Sequence, residues 1–114
     1  MSKRDLILLL EDMLESAFKI KKYTNNLDYS SFISDDKTVD AVVRNFEIIG
    51  EAANRIDPDF KILNPDVEWN RLRGFRNRIV HDYFGIDYEI VWTIIENDLD
   101  ELITQLESII NVNK

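Results

Sequence analysis

The sequence predicts an all-α protein arranged as an up-and-down helical bundle, and three observations predict it. Apolar residues recur at three- and four-residue steps through the long segments, cap and stop residues bound those segments, and none alternates as a strand would. In the first segment Leu6, Leu9, Leu10, Met13, Leu14, Ala17 and Phe18 share a face, and Ser2 with Asp5 supplies a cap. The spacing predicts a helix over about 3–22. Tyr23 to Tyr29 reads as a polar connector, with a short helical turn expected over 30–34.

Ser34 opens a second pattern, in which Val39, Val42, Val43, Phe46, Ile49, Ala53 and Ile56 predict a helix over 35–56 that stops at Asp57-Pro58. Gly50 inside it costs about 1 kcal/mol against alanine, a loss that close packing of a neighbouring helix offsets. Asn64-Pro65 reads as a cap with proline at the first helical position, which predicts a third, arginine-rich helix from Val67 to about Val80. Asp87 caps a last helix whose stripe is Val91, Ile94, Ile95, Leu102, Ile103, Leu106, Ile109 and Ile110. There is no internal repeat or low-complexity tract, so residues 1–114 read as one domain.

The chain has 114 residues, 45% of them apolar, enough for one packed core without disulfides or metal. It has no cysteine, so thiolate metal sites and disulfides are excluded, and a cytoplasmic protein is expected. The N-terminal apolar run is too short for a signal peptide or a membrane span. A net charge of −8 argues against broad nucleic-acid binding, yet the charge is uneven. Arg71, Arg73, Arg76 and Arg78, with Asp82 as the sole acid, give segment 71–83 a charge of +3, which leaves −11 on the remainder. RNA contact confined to that patch is electrostatically possible. The acidic remainder fits either simple solubility or a basic protein partner.

The same segment holds His81, the only histidine. One histidine without cysteine does not make a conventional zinc site, and no metal or cofactor requirement is expected. Histidine, with an unperturbed pKa of about 6.5, exchanges protons near neutral pH, and arginine matches phosphate with a cationic fork. For RNA the ribose 2′-hydroxyl is a built-in nucleophile. Cleavage then needs a base, an acid and a cation for the phosphorane charge. A single histidine does not easily serve as both base and acid, whereas two copies across a two-fold axis do, which makes a homodimer attractive. On a regular helix, however, Asn77 and Arg78 share a face with His81, while Arg76 lies about 140° away. Convergence requires the helix to end or bend before His81, or one chain's arginine to serve the other's histidine. From spacing alone, a solvated arginine face and a helix C-terminus packed by its tyrosine remain the plainer account.

The run Arg76-Asn77-Arg78-Ile79-Val80-His81, extended by Asp82-Tyr83, resembles the arginine, polar, three-variable, histidine, any, tyrosine motif of the HepT-like branch of HEPN-domain ribonucleases. The phrases Arg44 to Ala52 and Trp69 to Asp87 resemble that branch too, so the likeness covers most of the chain. The resemblance implies a four- to five-helix bundle of HEPN type and a homodimer with two motifs facing one cleft. It also implies a metal-independent endoribonuclease with tRNA among its substrates. Carried over by position, Arg76 and His81 are the catalytic pair and Asn77 supports them. Tyr83 is the place where a cognate minimal nucleotidyltransferase antitoxin of the MntA type attaches AMP, and the added phosphodiester would compete with RNA for the arginines. The implied role is the RNA-cutting toxin of a toxin-antitoxin pair. Arg71, Arg73 and Arg78 are candidates for positioning RNA or for a solvated face, Tyr83 also fits a packing role, and Glu51 and Trp69 read as structural. Two other functions are compatible with the residues: a non-catalytic helical dimer that scaffolds a nucleotidyltransferase, and an acidic antitoxin.

Overall fold

A computed structural model describes residues 1–81 and 85–114. The described residues are helical apart from turns and one antiparallel pair of two-residue strands. Helix α1 (Lys3–Thr24) starts where the Ser2 hydroxyl accepts from the Asp5 amide, and ends near Lys21 and Lys22, cations that suit a helix C-terminus. Its Leu9, Leu10, Met13, Ala17 and Ile20 are buried, but Phe18, expected on that face, is 44% exposed. The short α2 (Tyr29–Ile33), capped by Asp28, is the helical turn expected after the connector.

Helix α3 (Asp36–Arg55) begins one residue later than expected, because Asp35 rather than Ser34 is the cap, its Oδ1 accepting from the Thr38 amide. All seven apolar residues of its predicted stripe are buried, and they form the centre of the core against α1. Asp57-Pro58 ends α3 and also starts a helix that the sequence reading missed, α4 (Pro58–Leu63), with Pro58 in its first turn.

The largest departure is in the third predicted helix. Asn64 caps the end of α4 instead of opening a new helix: its Nδ2 donates to the Phe60 carbonyl, and its own carbonyl accepts from Trp69 Nε1 at 2.9 Å. The arginine-rich segment is split at Gly74 into α5 (Trp69–Arg73) and α6 (Phe75–Ile79). The chain then turns extended. Strand β1 (Val80–His81) pairs antiparallel with β2 (Gly85–Ile86), Val80 opposite Ile86 and His81 opposite Gly85. Gly85 has φ +77, a conformation that side-chain-bearing residues adopt at a cost.

The predicted last helix is present as α7 (Tyr88–Asn97) and α8 (Leu99–Asn113). The interruption at Asp98 is slight, since the Asp98 amide still donates to Ile94 and its carbonyl still accepts from Leu102. Val91, Ile94, Leu102, Ile103, Leu106 and Ile110 are buried, and α8 lies along α1, where Lys21 reaches Asp100 at 2.7 Å. Among the described residues no helix is long and apolar enough to cross a membrane.

Candidate active site

Close packing places the arginines. A Cβ on Gly50 would stand 3.0 Å from the Leu72 carbonyl oxygen, so only glycine lets α3 approach the end of α5 this tightly. Trp69 and Leu72 bury the inner side of α5, and Phe75 and Ile79 bury that of α6. Phe75 meets Phe46 of α3 edge-on, with ring centroids 5.1 Å apart. With those four residues inward, Arg73, Arg76 and Asn77 face outward. They line a recess of about 270 Å³ together with Glu47, Gly50, Glu51 and Asn54 of α3. Glu51 is also 3.6 Å from Arg44. Lys61 of α4 is held below its ordinary pKa, first by partial burial and then by the Arg73 guanidinium, so positive potential extends to α4.

The other two arginines are placed differently. Arg71 is tied to carboxylates, with Nη1 3.2 Å from Glu68 Oε2 and Nη2 3.0 Å from Asp98 Oδ2. The second contact is an ion pair without hydrogen-bond alignment, since Asp98 Oδ2 is enclosed and accepts no aligned hydrogen bond among the described residues. Arg78 is half-buried, its Nη1 enclosed and without a partner among the described residues.

His81 is not on the helix that carries Arg76. Helix α6 ends at Ile79, so the expected shared helical face of Asn77, Arg78 and His81 does not exist. The imidazole is 48% exposed, does not line the arginine recess, and has its Nε2 3.2 Å from Asp87 Oδ2. Asp87 was legible as the cap of the last helix, and its Oδ1 does accept from the Ile90 amide at 3.1 Å. The sequence reading missed its contact with His81. It also missed Glu47 and Asn54, whose signal was a polar face flanking Gly50 at helical spacing. The Asp87 carboxyl is held below its usual range, first by the Ile90 amide and, after the opposing effect of burial, by His81. Tyr83 lies outside the described residues. No group of histidine, cysteine, aspartate or glutamate among the described residues has the arrangement to hold a metal ion.

The fold and site define an all-helical protein with an arginine-lined recess and a carboxylate-bound histidine on an adjoining hairpin. A family model described as "Ribonuclease HepT-like" matches residues 13–109. A candidate RNase of Methanocaldococcus jannaschii is 42% identical over 107 residues, covering 94% of this chain and 98% of that protein. A second candidate RNase of the same organism is 39% identical, covering 96% of this chain and 91% of its own. A candidate ribonuclease HepT of Thermococcus cleftensis is 36% identical over 88% of this chain and 91% of its own length. No solved structure matches at a significant level. The chain belongs to the HepT-like ribonuclease family and is an endoribonuclease of that family.

Proposed function

We propose that the chain works as a homodimer that cleaves RNA, tRNA foremost, as the toxin of a toxin-antitoxin pair, with Arg76 and His81 as its catalytic residues and Asn77 in support. The observation that carries this reading is the end of α6 at Ile79. A regular helix would turn Arg76 and His81 about 140° apart, and an extended Val80-His81 frees the imidazole from that constraint. An endoribonuclease with one histidine per chain also gains most from two copies across a two-fold axis.

In the proposed step one imidazole takes the proton of the 2′-hydroxyl as the 2′-oxygen attacks phosphorus. The phosphorus–O5′ bond breaks, the other imidazolium protonates the departing O5′, and the products are a 2′,3′-cyclic phosphate and a 5′-hydroxyl. Arg76 stabilises the extra negative charge of the phosphorane, for which a forked guanidinium is suited. Arg73, beside it in the recess, holds a neighbouring phosphate, and Arg78 contributes charge from the same segment. Arg71, already tied to Glu68 and Asp98, contributes least. AMP attached to Tyr83 by a minimal nucleotidyltransferase antitoxin would set a bulky anion in competition with RNA.

The test is to incubate purified wild type, His81→Ala and Arg76→Ala with total tRNA in the presence of a chelator and to analyse the product ends. Cyclic phosphate ends are expected from wild type, with both variants slowed by roughly 10²-fold or more. Cleavage by His81→Ala at the wild-type rate would sink the assignment. Expression without the partner should poison cells through the wild type and not through His81→Ala.

A further inference from the structure

We infer that Asp87 is a positioning residue for the reaction, fixing the His81 imidazole in its Nε2–H tautomer and leaving Nδ1 as the atom that exchanges protons with RNA. The catalytic half of this inference rests on the reading of His81 given above, whereas the geometric half stands on its own.

Asp87 is anchored on three sides. Its amide donates to the Ile79 carbonyl at 2.7 Å, which closes the hairpin against the end of α6. Its Oδ1 accepts from the Ile90 amide, which begins α7. Its Oδ2 is then directed at His81 Nε2, 3.2 Å away. An ionised carboxylate only accepts hydrogen bonds, so the proton between the two groups belongs to Nε2. The Ile90 amide and the N-terminal end of α7 both favour that ionised form. A neutral imidazole carries one N–H, and with it committed to Asp87 the Nδ1 lone pair is free to take a proton. After Nδ1 is protonated, the imidazolium keeps its Nε2–H on Asp87 and returns the Nδ1 proton.

The negative charge of Asp87 is also felt at Tyr29 of α2, whose pKa is raised first by burial and then by Glu89 and Asp87. An arrangement in which a carboxylate selects the tautomer of a catalytic imidazole contributes through orientation, without the carboxylate itself taking the proton.

A single histidine makes the test unambiguous, because every imidazole signal in a long-range proton–nitrogen spectrum comes from His81. Asn caps helices as well as Asp, so Asp87→Asn keeps its oxygen on the Ile90 amide and turns its NH₂ toward Nε2. The wild type is expected to show the Nε2–H tautomer and Asp87→Asn the Nδ1–H tautomer. The variant's kcat on tRNA should fall roughly tenfold to a hundredfold with KM unchanged, a part of the 10²–10⁴ typical of positioned proton transfer. Asp87→Ser, which caps α7 but is too short to reach the ring, should lose kcat similarly and serves if Asp87→Asn does not fold. A wild-type imidazole that is mainly Nδ1–H would overturn the inference outright. Full-rate cleavage by Asp87→Asn alongside an inactive His81→Ala would overturn the positioning role alone, and full-rate cleavage by His81→Ala would remove the catalytic reading with it.

Discussion

Gly50 faces the Leu72 carbonyl so closely that a methyl group added to it would meet that oxygen at 3.0 Å. The carbonyl is held in place by a short helix whose Trp69 and Leu72 are buried, so it has little room to yield. Gly50→Ala gains about 1 kcal/mol of helix propensity and loses roughly 1–3 kcal/mol to overpacking. The expected outcome is net destabilisation of about 1 kcal/mol, read as a melting temperature lowered by roughly 3–6 °C. A raised melting temperature would show that α5 moves away freely.

Arg71 and Arg73 are two residues apart but should behave differently toward RNA. Arg71→Ala leaves the enclosed Asp98 oxygen without its counter-charge and should cost roughly 1 kcal/mol of stability, since the pair is partly exposed. Arg73→Ala, on the recess, should instead flatten the dependence of RNA affinity on salt by about 0.7–0.9 log units per log unit for each phosphate it leaves unneutralised. Binding titrations across salt concentrations separate the two. An equal flattening of slope in both variants would contradict the placement of Arg71.

Charge alone should not rescue Arg76. Lysine keeps the cation but loses the planar fork, so Arg76→Lys should cleave more slowly than wild type and faster than Arg76→Ala, which is expected to lose about 10²–10³-fold. Initial rates on one tRNA rank the three proteins. Wild-type activity in the lysine variant would reduce the role of Arg76 to a point charge.

Acid should weaken the protein at its helix caps. Asp28, Asp35 and Asp87 are held below their ordinary value of 3.8: Asp28 first by the Ser31 amide, Asp35 first by the Thr38 hydroxyl, and Asp87 first by the Ile90 amide. A carboxyl lowered in the folded state contributes stability that is complete above its unfolded value and disappears as pH falls through the folded one. The midpoint of thermal melts should therefore hold down to about pH 5 and fall as pH drops below 3.8. Asp35→Asn, a cap without titration, should shallow that drop, and an unchanged acid slope would show that the cap at α3 is not part of it.

The long helices were legible because each buries a broad stripe, and a stripe repeats often enough to define a period. The seven stripe residues from Val39 to Ile56 are all buried, with Ala52 as one buried residue outside the stripe. Short elements lack that redundancy. Two residues in each strand give no alternation to detect, so Val80-His81 read as the end of a helix. Local signals were also two-sided: Asp57-Pro58 stopped one helix and started another, while Asn64-Pro65, chemically alike, closed α4 because the carbonyl of Asn64 is taken by the Trp69 indole. The identities of Arg76, Asn77 and His81 were visible in the motif, but the Asp87 contact depends on the antiparallel pairing of Val80-His81 with Gly85-Ile86, which no periodicity records.

That pairing changes the meaning of the interval between Arg76 and His81. On a cylinder of helix an inserted residue rotates everything after it by about 100°, whereas on a pleated ribbon it sends the next side chain to the opposite surface. One extra residue placed between Ile79 and His81 should aim the ring away from Asp87, and two should return it to the same surface roughly 7 Å further along, out of reach of the carboxylate. The surface that carries the ring thus follows the parity of a ribbon, with a period of two where the sequence suggested one near four, while its reach to Asp87 admits no insertion.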